Sequence, residues 1–242
     1  MRQPRIYDPQ PLACDSLVTL GSDGANHVGR VLRMQPGEII RLFNGDGNDY
    51  PATLQEVSKK QVVAEISGVN VLHNESPLAL TLGQVISRGD RMDFVIQKSV
   101  ELGVKQIVPL FSERCGVKLS GERLEKKVSQ WQKIAISACE QSGRAWVPEI
   151  TPVQQLADWV KAPFAGHSLT LSPYATQTIA TLPASTQARL LIGPEGGFTD
   201  EEVALASQAG FTDVLLGPRV LRTETAALAA ITALQLQLGD LG

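Results

Sequence analysis

Short apolar segments with alternating or β-branched residues dominate the first third of the chain. They predict strands at 38–43, 49–57 and 61–72. The glycines and aspartate of 44–47 form a strong turn signal between the first two strands. Val28, Val31 and Leu32 fall on one face of a short helix predicted near 25–33. We therefore predict a small β-barrel domain over residues 1–72.

From residue 78 onward, predicted strands and helices alternate. Apolar runs predict strands at 78–86, 106–111 and 168–171. Residues at helical spacing predict helices over 90–102 and 121–141, with Gly103 and Gly143 just past their ends. This alternation is typical of a mostly parallel sheet covered on both faces, so we predict an α/β fold for residues 73–242.

Two further signals concern the starts of helices. Asp90 is expected to cap the helix over 90–102. Thr151, followed by Pro152, is expected to cap a shorter helix with proline at its first position. The polar stretch 73–77 lies between two apolar runs and marks the predicted boundary between the two domains.

Two strand–loop–helix units close the chain and resemble each other. The first loop is 193–198, and Thr199 with Glu202 then forms a capping box that opens a helix. The second loop is 217–224, and it opens the last helix of the chain. Both loops leave the carboxyl end of a predicted buried strand, where open α/β sheets bind their ligands.

Composition limits the classes to which this protein can belong. Apolar residues make up 43% of the 242 residues, enough for a buried core, and no stretch approaches the length of a membrane span. The three cysteines lack CxxC spacing and the three histidines are isolated, so neither a metal site nor a Ser/His/Asp site is predicted. We expect a cytoplasmic protein without membrane attachment.

The charge distribution bears on nucleic-acid binding. A net charge of −3 argues against a protein that coats nucleic acid indiscriminately, because such binding rests on many phosphate contacts. Basic side chains nevertheless outnumber acidic ones in 88–144, whereas acidic ones prevail on either side. On charge alone, this segment is either a solvated helix face or part of a nucleic-acid surface.

The glycines of the first loop allow a backbone to approach a ligand closely, and exposed N–H and C=O groups can then recognise a flat adenine. A P-loop is excluded because no lysine follows Gly197, and the spacing and position also exclude a Rossmann fingerprint. Alone, the first loop could be an ordinary tight turn. Its pairing with the second loop favours a ligand site.

The sequence IGPEGGF followed by LGPRVLRTETA closely resembles the two C-terminal motifs of SPOUT methyltransferases. More narrowly, the chain is similar to the ribosomal RNA small subunit methyltransferase E family, which methylates N3 of a uridine in 16S ribosomal RNA. Further matching segments are 98–104, 112–114, 140–144, Arg5, His27 and 31–33. The resemblance covers nearly the whole chain. It implies a PUA-like RNA-binding barrel followed by a SPOUT α/β domain whose chain is threaded as a trefoil knot.

The resemblance also implies that S-adenosyl-L-methionine binds between the two loops and the end of an earlier strand. The implied cofactor residues are Leu171, Ser172, Ile192, Gly193, Pro194, Gly196, Gly197, Leu216, Gly217, Leu221, Arg222 and Thr223. It further implies a homodimer whose partner is 16S ribosomal RNA in the small ribosomal subunit.

Methylation at N3 requires alignment of the two reactants and removal of the imide proton. A carboxylate base, or an arginine that stabilises negative charge on the uracil oxygens, would serve. The candidate catalytic residues are Arg222, Glu224, Arg114 and Arg144. The candidate RNA contacts are Arg2, Arg5, Arg30, Arg33 and Lys98. Arg222 and Glu224 could instead form a structural ion pair that caps the last helix.

The sequence leaves two alternative functions open. One is a different SPOUT methyltransferase that acts on a transfer RNA base or on a ribose 2′-hydroxyl. The other is a non-catalytic ribosome-assembly factor that has lost the cofactor. The small N-terminal barrel and the VLRTETA motif favour the base-modifying ribosomal family. Calorimetry with S-adenosylmethionine separates the enzymes from the assembly factor, which should give no heat.

Overall fold

A computed structural model describes residues 3–242 of the chain. Their contacts cluster into two compact units. The first contains the chain up to Glu75 together with Cys139–Val147, and the second contains Ser76–Ala138 and Pro148–Gly242. Sequence patterning assigned the whole of 73–242 to one domain and did not foresee that Cys139–Val147 belongs with the first unit. No helix in residues 3–242 combines the length and apolar character needed to cross a membrane.

The first unit is a mostly antiparallel sheet. Its strands are β1 (Arg5–Tyr7), β2 (Ser16–Thr19), β3 (Ile39–Phe43), β4 (Asn48–Val57), β5 (Val62–Ile66) and β6 (Asn70–Val71). They pair in the order β1-β3-β4-β5-β2, with β6 on β4, and β1 runs parallel to β3. Alternate residues of β5, namely Val62, Ala64 and Ile66, are buried, as expected for a strand with one face on the core.

The predicted helix near 25–33 is a shorter composite element. Helix α1 (Ser22–Asn26) continues into a single π-helical turn, His27–Val31. Val28 is buried in the core of the first unit, as the apolar face predicts, but Val31 and Leu32 are exposed. Arg33 follows with a φ of 54°, in the left-handed region that non-glycine residues rarely adopt.

Arg5 is enclosed in the first unit. Its guanidinium donates to the Asp49 carboxylate (Nη2–Oδ1 2.5 Å) and to the Cys139 carbonyl oxygen (2.6 Å), and it lies over the Phe43 ring. The side chains of Arg5 and Asp49 are only 4% and 2% exposed. A guanidinium enclosed in this way cannot also face RNA, so the structure argues against the predicted phosphate contact at Arg5.

The second unit is built on a parallel sheet. Its strands are β7 (Ala79–Val85), β8 (Gln106–Phe111), β9 (Glu149–Ile150), β10 (Gln154–Gln155), β11 (His167–Leu171), β12 (Gln187–Ile192) and β13 (Thr212–Val214). They pair in the order β10-β8-β7-β12-β11-β13, with β9 on β8. Every one of these pairings is parallel, which confirms the predicted sheet type for the second unit.

Helices connect these strands. They are α2 (Arg91–Glu101), α3 (Gly121–Ser142), α4 (Leu156–Lys161), α5 (Asp200–Gln208) and α6 (Thr223–Leu238), with a short 3-10 turn at Ile179–Thr181. Trp131 and Ala135 of α3 are fully buried, in keeping with the apolar stripe predicted there. The predicted strands and long helices of this region are therefore present, with shifts of a few residues at their ends.

Two predicted helix starts differ from the structure. Thr151 does not cap a helix, because its N–H donates to the Ile107 carbonyl oxygen (3.1 Å) and the chain continues extended into β10 before α4 begins at Leu156. Asp90 does precede α2, but its side chain makes no capping hydrogen bond. The error at Thr151 arises because a local capping pattern does not include the pairing with a neighbouring strand.

Candidate functional site

A cavity of about 770 Å³ lies in the second unit, at the carboxyl ends of β11, β12 and β13. We call it the loop cavity. Its volume is within the range of small-molecule sites, and its position is the one where open α/β sheets bind ligands. The predicted cofactor residues that line it are Leu171, Ser172, Ile192, Gly193, Pro194, Gly197, Leu216, Gly217, Leu221, Arg222 and Thr223. The three segments singled out from the sequence therefore surround one cavity.

Gly196 is the predicted cofactor residue that lies elsewhere. It belongs to a second hollow, the arginine depression, lined by Arg88, Gly89, Asp90, Arg91, Arg114, Gly116, Glu195 and Gly196. A Cβ atom at Gly196 would contact the Arg114 side chain at 3.4 Å. Gly193 matters more to the loop cavity, because a Cβ atom there would press against the Phe198 ring at 3.1 Å.

Thr223 lies at the centre of the hydrogen bonds that join the two loops. Its hydroxyl donates to the Gly193 carbonyl oxygen (2.7 Å) in the first loop and accepts from the Gln84 carboxamide (3.1 Å) on β7. Gln84 is fully buried in an otherwise apolar strand, where an amide is costly unless it is hydrogen-bonded. Sequence reasoning missed Gln84, although a glutamine inside the apolar run 78–86 was a signal for it.

The capping box predicted after the first loop is present. The Thr199 hydroxyl accepts from the Glu202 N–H (3.2 Å), and the Glu202 carboxylate accepts from the Thr199 N–H (3.0 Å). Helix α5 accordingly begins at Asp200. These reciprocal bonds satisfy two N–H groups that would otherwise lack partners and fix where the first loop ends.

Arg91 lies between two acidic residues of the loop cavity. Its Nη1 atom is 2.9 Å from Glu195 Oε1, and its Nε atom is 3.9 Å from Glu224 Oε1. Burial alone would raise the pKa of Glu195. Hydrogen bonds from its own N–H, from the Arg88 N–H and from Arg91 outweigh that effect and hold the pKa of this carboxyl below its usual value. Arg91 thus links the first loop to the first turn of α6.

Arg222 and Glu224 both line the loop cavity at the start of α6. Arg222 is the exposed residue that precedes the helix, and its guanidinium has no hydrogen bond or ion pair within residues 3–242. In that same range Arg222 and Glu224 form no ion pair with each other, since Glu224 faces Arg91 instead. The alternative of a structural Arg222–Glu224 pair capping the last helix is therefore absent from the structure.

Two buried oxygen atoms of the loop cavity lack partners within the described part of the chain. They are Glu224 Oε2 and Thr170 Oγ1. Buried polar atoms are normally hydrogen-bonded, so a ligand with hydroxyl or ammonium groups would stabilise both. Leu171 and Leu221 add apolar surface to the same cavity. The lining therefore fits a ligand that combines a flat ring system with several polar groups.

The other two catalytic candidates lie outside the loop cavity. Arg114 donates through Nη1 to the carbonyl oxygens of Gly196 (3.2 Å) and Phe198 (3.1 Å), and so supports the first loop from the arginine depression. Arg144 belongs to the first unit, where its Nε and Nη2 atoms contact Glu75 Oε1 and Oε2 at 2.9 and 2.6 Å. A buried two-point ion pair of this kind is a structural contact of the first unit.

The predicted RNA contacts have different surroundings. Arg30 and Arg33 are exposed in the first unit, in and just after the π-helical turn. Lys98 lies on α2 in the second unit and pairs with Glu101 at 2.7 Å. Arg2 lies outside the described residues. Arg30 and Arg33 are thus the two first-unit candidates that remain open to a ligand.

Comparison with protein families gives two matches. The model described as an RNA methyltransferase domain matches residues 74–235. The model described as an RNA methyltransferase PUA domain matches residues 20–67. The first match covers most of the second unit, with both loops, and the second falls within the first unit.

Similar proteins were found among curated sequences and among solved structures. The chain is 41% identical over 242 residues to the protein of Buchnera aphidicola subsp. Schizaphis graminum named ribosomal RNA small subunit methyltransferase E, across 99% of this chain and 98% of the relative. A putative methyltransferase from Legionella pneumophila, solved with bound S-adenosylmethionine, is 46% identical with a TM-score of 0.97 over 100% of both chains. The ribosomal RNA small subunit methyltransferase E from Neisseria gonorrhoeae, also bound to S-adenosylmethionine, is 43% identical with a TM-score of 0.93 over 100% of both chains.

Proposed function

Because the chain belongs to the ribosomal RNA small subunit methyltransferase E family, we propose that it transfers a methyl group from S-adenosylmethionine to N3 of a uridine in 16S ribosomal RNA. The observation that carries this proposal is the loop cavity, which is bounded by both C-terminal motifs and contains an unpaired arginine beside a carboxylate with one free oxygen. We expect the reaction to take place in the cytoplasm, where ribosomal subunits are assembled.

The residues of the loop cavity fit S-adenosylmethionine. The apolar side chains of Leu171, Ile192 and Leu221 provide a surface for adenine, and the glycines of the first loop allow the backbone to approach it. Thr170 Oγ1 is available to the ribose hydroxyls or to the ammonium group. When bound, the cofactor supplies an electrophilic methyl group on a sulfonium, which is already a good leaving group.

The chain must then bring the uracil to that methyl group and withdraw the N3 proton. Arg222 is open to the cavity, so its guanidinium can stabilise the negative charge that develops on the uracil oxygens. Glu224 Oε2 has no partner within residues 3–242 and can accept the proton, while Oε1 faces Arg91. Arg114 supports the first loop in this scheme, and Arg144 has no part in it.

Two further features follow from family membership and are part of the proposal. We expect the first unit to close as a PUA-like barrel that holds RNA through Arg30 and Arg33, and the C-terminal segment to be threaded as a trefoil knot. The hydrogen bonds from Gln84 to Thr223 and from Thr223 to Gly193 are compatible with such threading, because they join three distant segments at one point. A crystal structure that traces the chain through the two loops would test the threading.

A homodimer is also proposed. Leu236 and Leu241 are exposed large apolar residues at the end of the chain, 55% and 46% accessible, and a second copy would cover them. In sedimentation equilibrium the parent protein should therefore be a dimer. The Leu236→Glu variant should show a larger fraction of monomer. A parent protein that sediments as a monomer would contradict this part of the proposal.

The experiment for the reaction uses small ribosomal subunits that lack the modification. Incubation with the protein and S-adenosylmethionine should create one strong reverse-transcription stop at a uridine of 16S ribosomal RNA, because a methyl group on N3 blocks base pairing. Arg222→Ala serves as the matched variant that keeps the fold. Cofactor binding without such a stop would favour a transfer RNA or ribose methyltransferase. An absence of calorimetric heat with S-adenosylmethionine would favour a non-catalytic assembly factor.

A further inference from the structure

The arginine depression, of about 650 Å³, lies beside the loop cavity in the second unit. Its lining comes from the turns that follow β7 and β8 and from the first loop, which follows β12. These strands are neighbours in the parallel sheet, so their carboxyl ends meet at one edge. Arg91 and Glu195 line both hollows. A ligand in the depression therefore lies next to whatever occupies the loop cavity.

Positive charge exceeds negative charge in this lining. Arg88, Arg91 and Arg114 face the carboxylates of Asp90 and Glu195. Glu195 is already engaged by Arg91 at 2.9 Å. The Arg88 side chain, by contrast, is exposed and forms no hydrogen bond or ion pair within residues 3–242. The depression thus presents an unpaired guanidinium to solvent.

The position of Arg88 depends on Gly116. A Cβ atom built at Gly116 would overlap the Arg88 guanidinium, which lies directly over that glycine. Gly116 is not among the glycines with positive φ, so its backbone conformation does not itself require glycine. Its missing side chain instead leaves room for the guanidinium. Arg114, on the other side, uses Nη1 for its hydrogen bonds to the first loop, and its other guanidinium nitrogens form no hydrogen bond or ion pair within the described residues.

We propose that the arginine depression binds a phosphodiester group of the RNA substrate through Arg88 and Arg114. Guanidinium groups pair with phosphate oxygens in a two-point geometry, and phosphate contacts fix the position of a nucleic acid without reading its sequence. This inference rests on the proposed function, since the phosphate belongs to the nucleotide whose base enters the loop cavity or to its neighbour. Its role is to hold the RNA strand at the distance at which that base reaches the cofactor.

Three variants of the full chain separate this role from a general effect of charge. Arg88→Ala removes the unpaired guanidinium. Gly116→Ala keeps the charge but displaces the guanidinium, at little expected cost to folding because the displaced atoms end a flexible side chain. Arg123→Ala is the matched control, because Arg123 is an exposed arginine of the second unit that lies outside both hollows.

Binding of a fluorescein-labelled, uridine-containing single-stranded RNA oligonucleotide is measured by anisotropy at several salt concentrations. Arg88→Ala should weaken binding about tenfold, the effect expected for one charged hydrogen-bonded contact. The slope of log affinity against log salt should become shallower by about 0.7, as for one lost phosphate contact to a single strand. Gly116→Ala should weaken binding in the same direction, and Arg123→Ala should bind like the parent protein. Calorimetry should give the parent affinity for S-adenosylmethionine in all three variants.

Three results would overturn the inference. The first is equal RNA affinity and salt slope in Arg88→Ala and Arg123→Ala. The second is a parent protein that does not bind the oligonucleotide. The third is a large loss of S-adenosylmethionine affinity in Arg88→Ala, which would assign the depression to the cofactor carboxylate. Failure of the parent protein to methylate ribosomal subunits would contradict the proposed function alone, because oligonucleotide binding is measured without methyl transfer.

Discussion

The first unit encloses Arg5 and Arg144 in ion pairs, whereas the second unit leaves Arg222 open to a cavity. Arg5 is paired with Asp49 and Arg144 with Glu75, each at short distance within the first unit. Arg222 has no such partner within residues 3–242. The donors of an enclosed guanidinium are already occupied by the fold. An arginine in a family motif is therefore available to a ligand only where burial and neighbouring acceptors leave its donors free.

The largest effect on stability is expected in the first unit. Arg5→Ala should lower the free energy of unfolding by about 3–5 kcal/mol, because Asp49 would remain buried without its closest counter-charge. Chemical denaturation measures this loss, and cofactor calorimetry on the folded variant should be unchanged. Arg30→Ala, which removes an exposed arginine of the same unit, should stay within about 0.5 kcal/mol of the parent protein. If Arg5→Ala had the stability of the parent protein but bound RNA weakly, Arg5 would be an RNA contact and not a structural residue.

Arg222→Ala should show the opposite behaviour. Removal of one electrostatic contact to a developing charge typically costs on the order of 100-fold in rate, so single-turnover methylation should fall by about that factor. The melting temperature should hardly change, because the guanidinium forms no hydrogen bond or ion pair within residues 3–242. Arg222→Lys should recover part of the rate, since lysine keeps the charge without the planar fork. A stable Arg222→Ala enzyme with a near-normal rate would remove Arg222 from the reaction.

Within the second unit, Thr223 tests whether hydrogen bonds between the two loops position the cofactor site. Thr223→Val keeps the shape but removes the hydroxyl between Gln84 and Gly193. The Gly193 carbonyl oxygen then loses this donor, and Gln84 Nε2 loses one of its two acceptors and retains the Val85 carbonyl oxygen. A penalty of about 1–3 kcal/mol for unsatisfied buried groups corresponds to a loss of about five- to 150-fold in cofactor affinity if it falls on the loop geometry. Thr223→Ser, which keeps the hydroxyl, should retain most of the affinity in calorimetry. Equal affinities of the serine and valine variants would show that the hydrogen bonds do not position the loops.

The smallest effect is expected at the end of the first loop. Thr199→Ala removes one half of the capping box of α5 and should cost about 1 kcal/mol of stability. Thermal denaturation measures this shift, and Ser207→Ala, a change of an exposed residue near the end of the same helix, is the control. A loss of stability as large as that of Arg5→Ala would mean that the first loop and α5 contribute more to the stability of the protein than their contacts indicate.

Local patterns were sufficient where the determining contacts are local. The Thr199–Glu202 capping box and the strand Gln106–Phe111 were predicted correctly, because each depends on residues within a few positions of one another. The meeting of the two loops in one cavity was also foreseen, since both leave the carboxyl ends of strands in one parallel sheet. The α/β fold class and the meeting of the two loops could therefore be predicted.

Contacts between distant residues could not be predicted from local patterns. Arg5 was predicted to contact RNA because its partner Asp49 lies far away in the sequence. Thr151 looked like a helix cap because its pairing with Ile107 brings together two distant segments. Gln84 was missed for the same reason, since its role depends on Thr223. In each case the environment of the side chain is set by tertiary packing, which the neighbouring residues in the sequence do not reveal.

We propose that the two loops of the second unit form the cofactor site, whereas the arginine pairs of the first unit serve only its fold. Hydrogen–deuterium exchange with and without S-adenosylmethionine tests it directly. We predict slower exchange of the backbone amides in 170–174, 192–198 and 216–224, with no change around Arg5, Asp49 and Cys139–Val147. Protection centred on the first unit, or no protection in either loop at saturating cofactor, would contradict it.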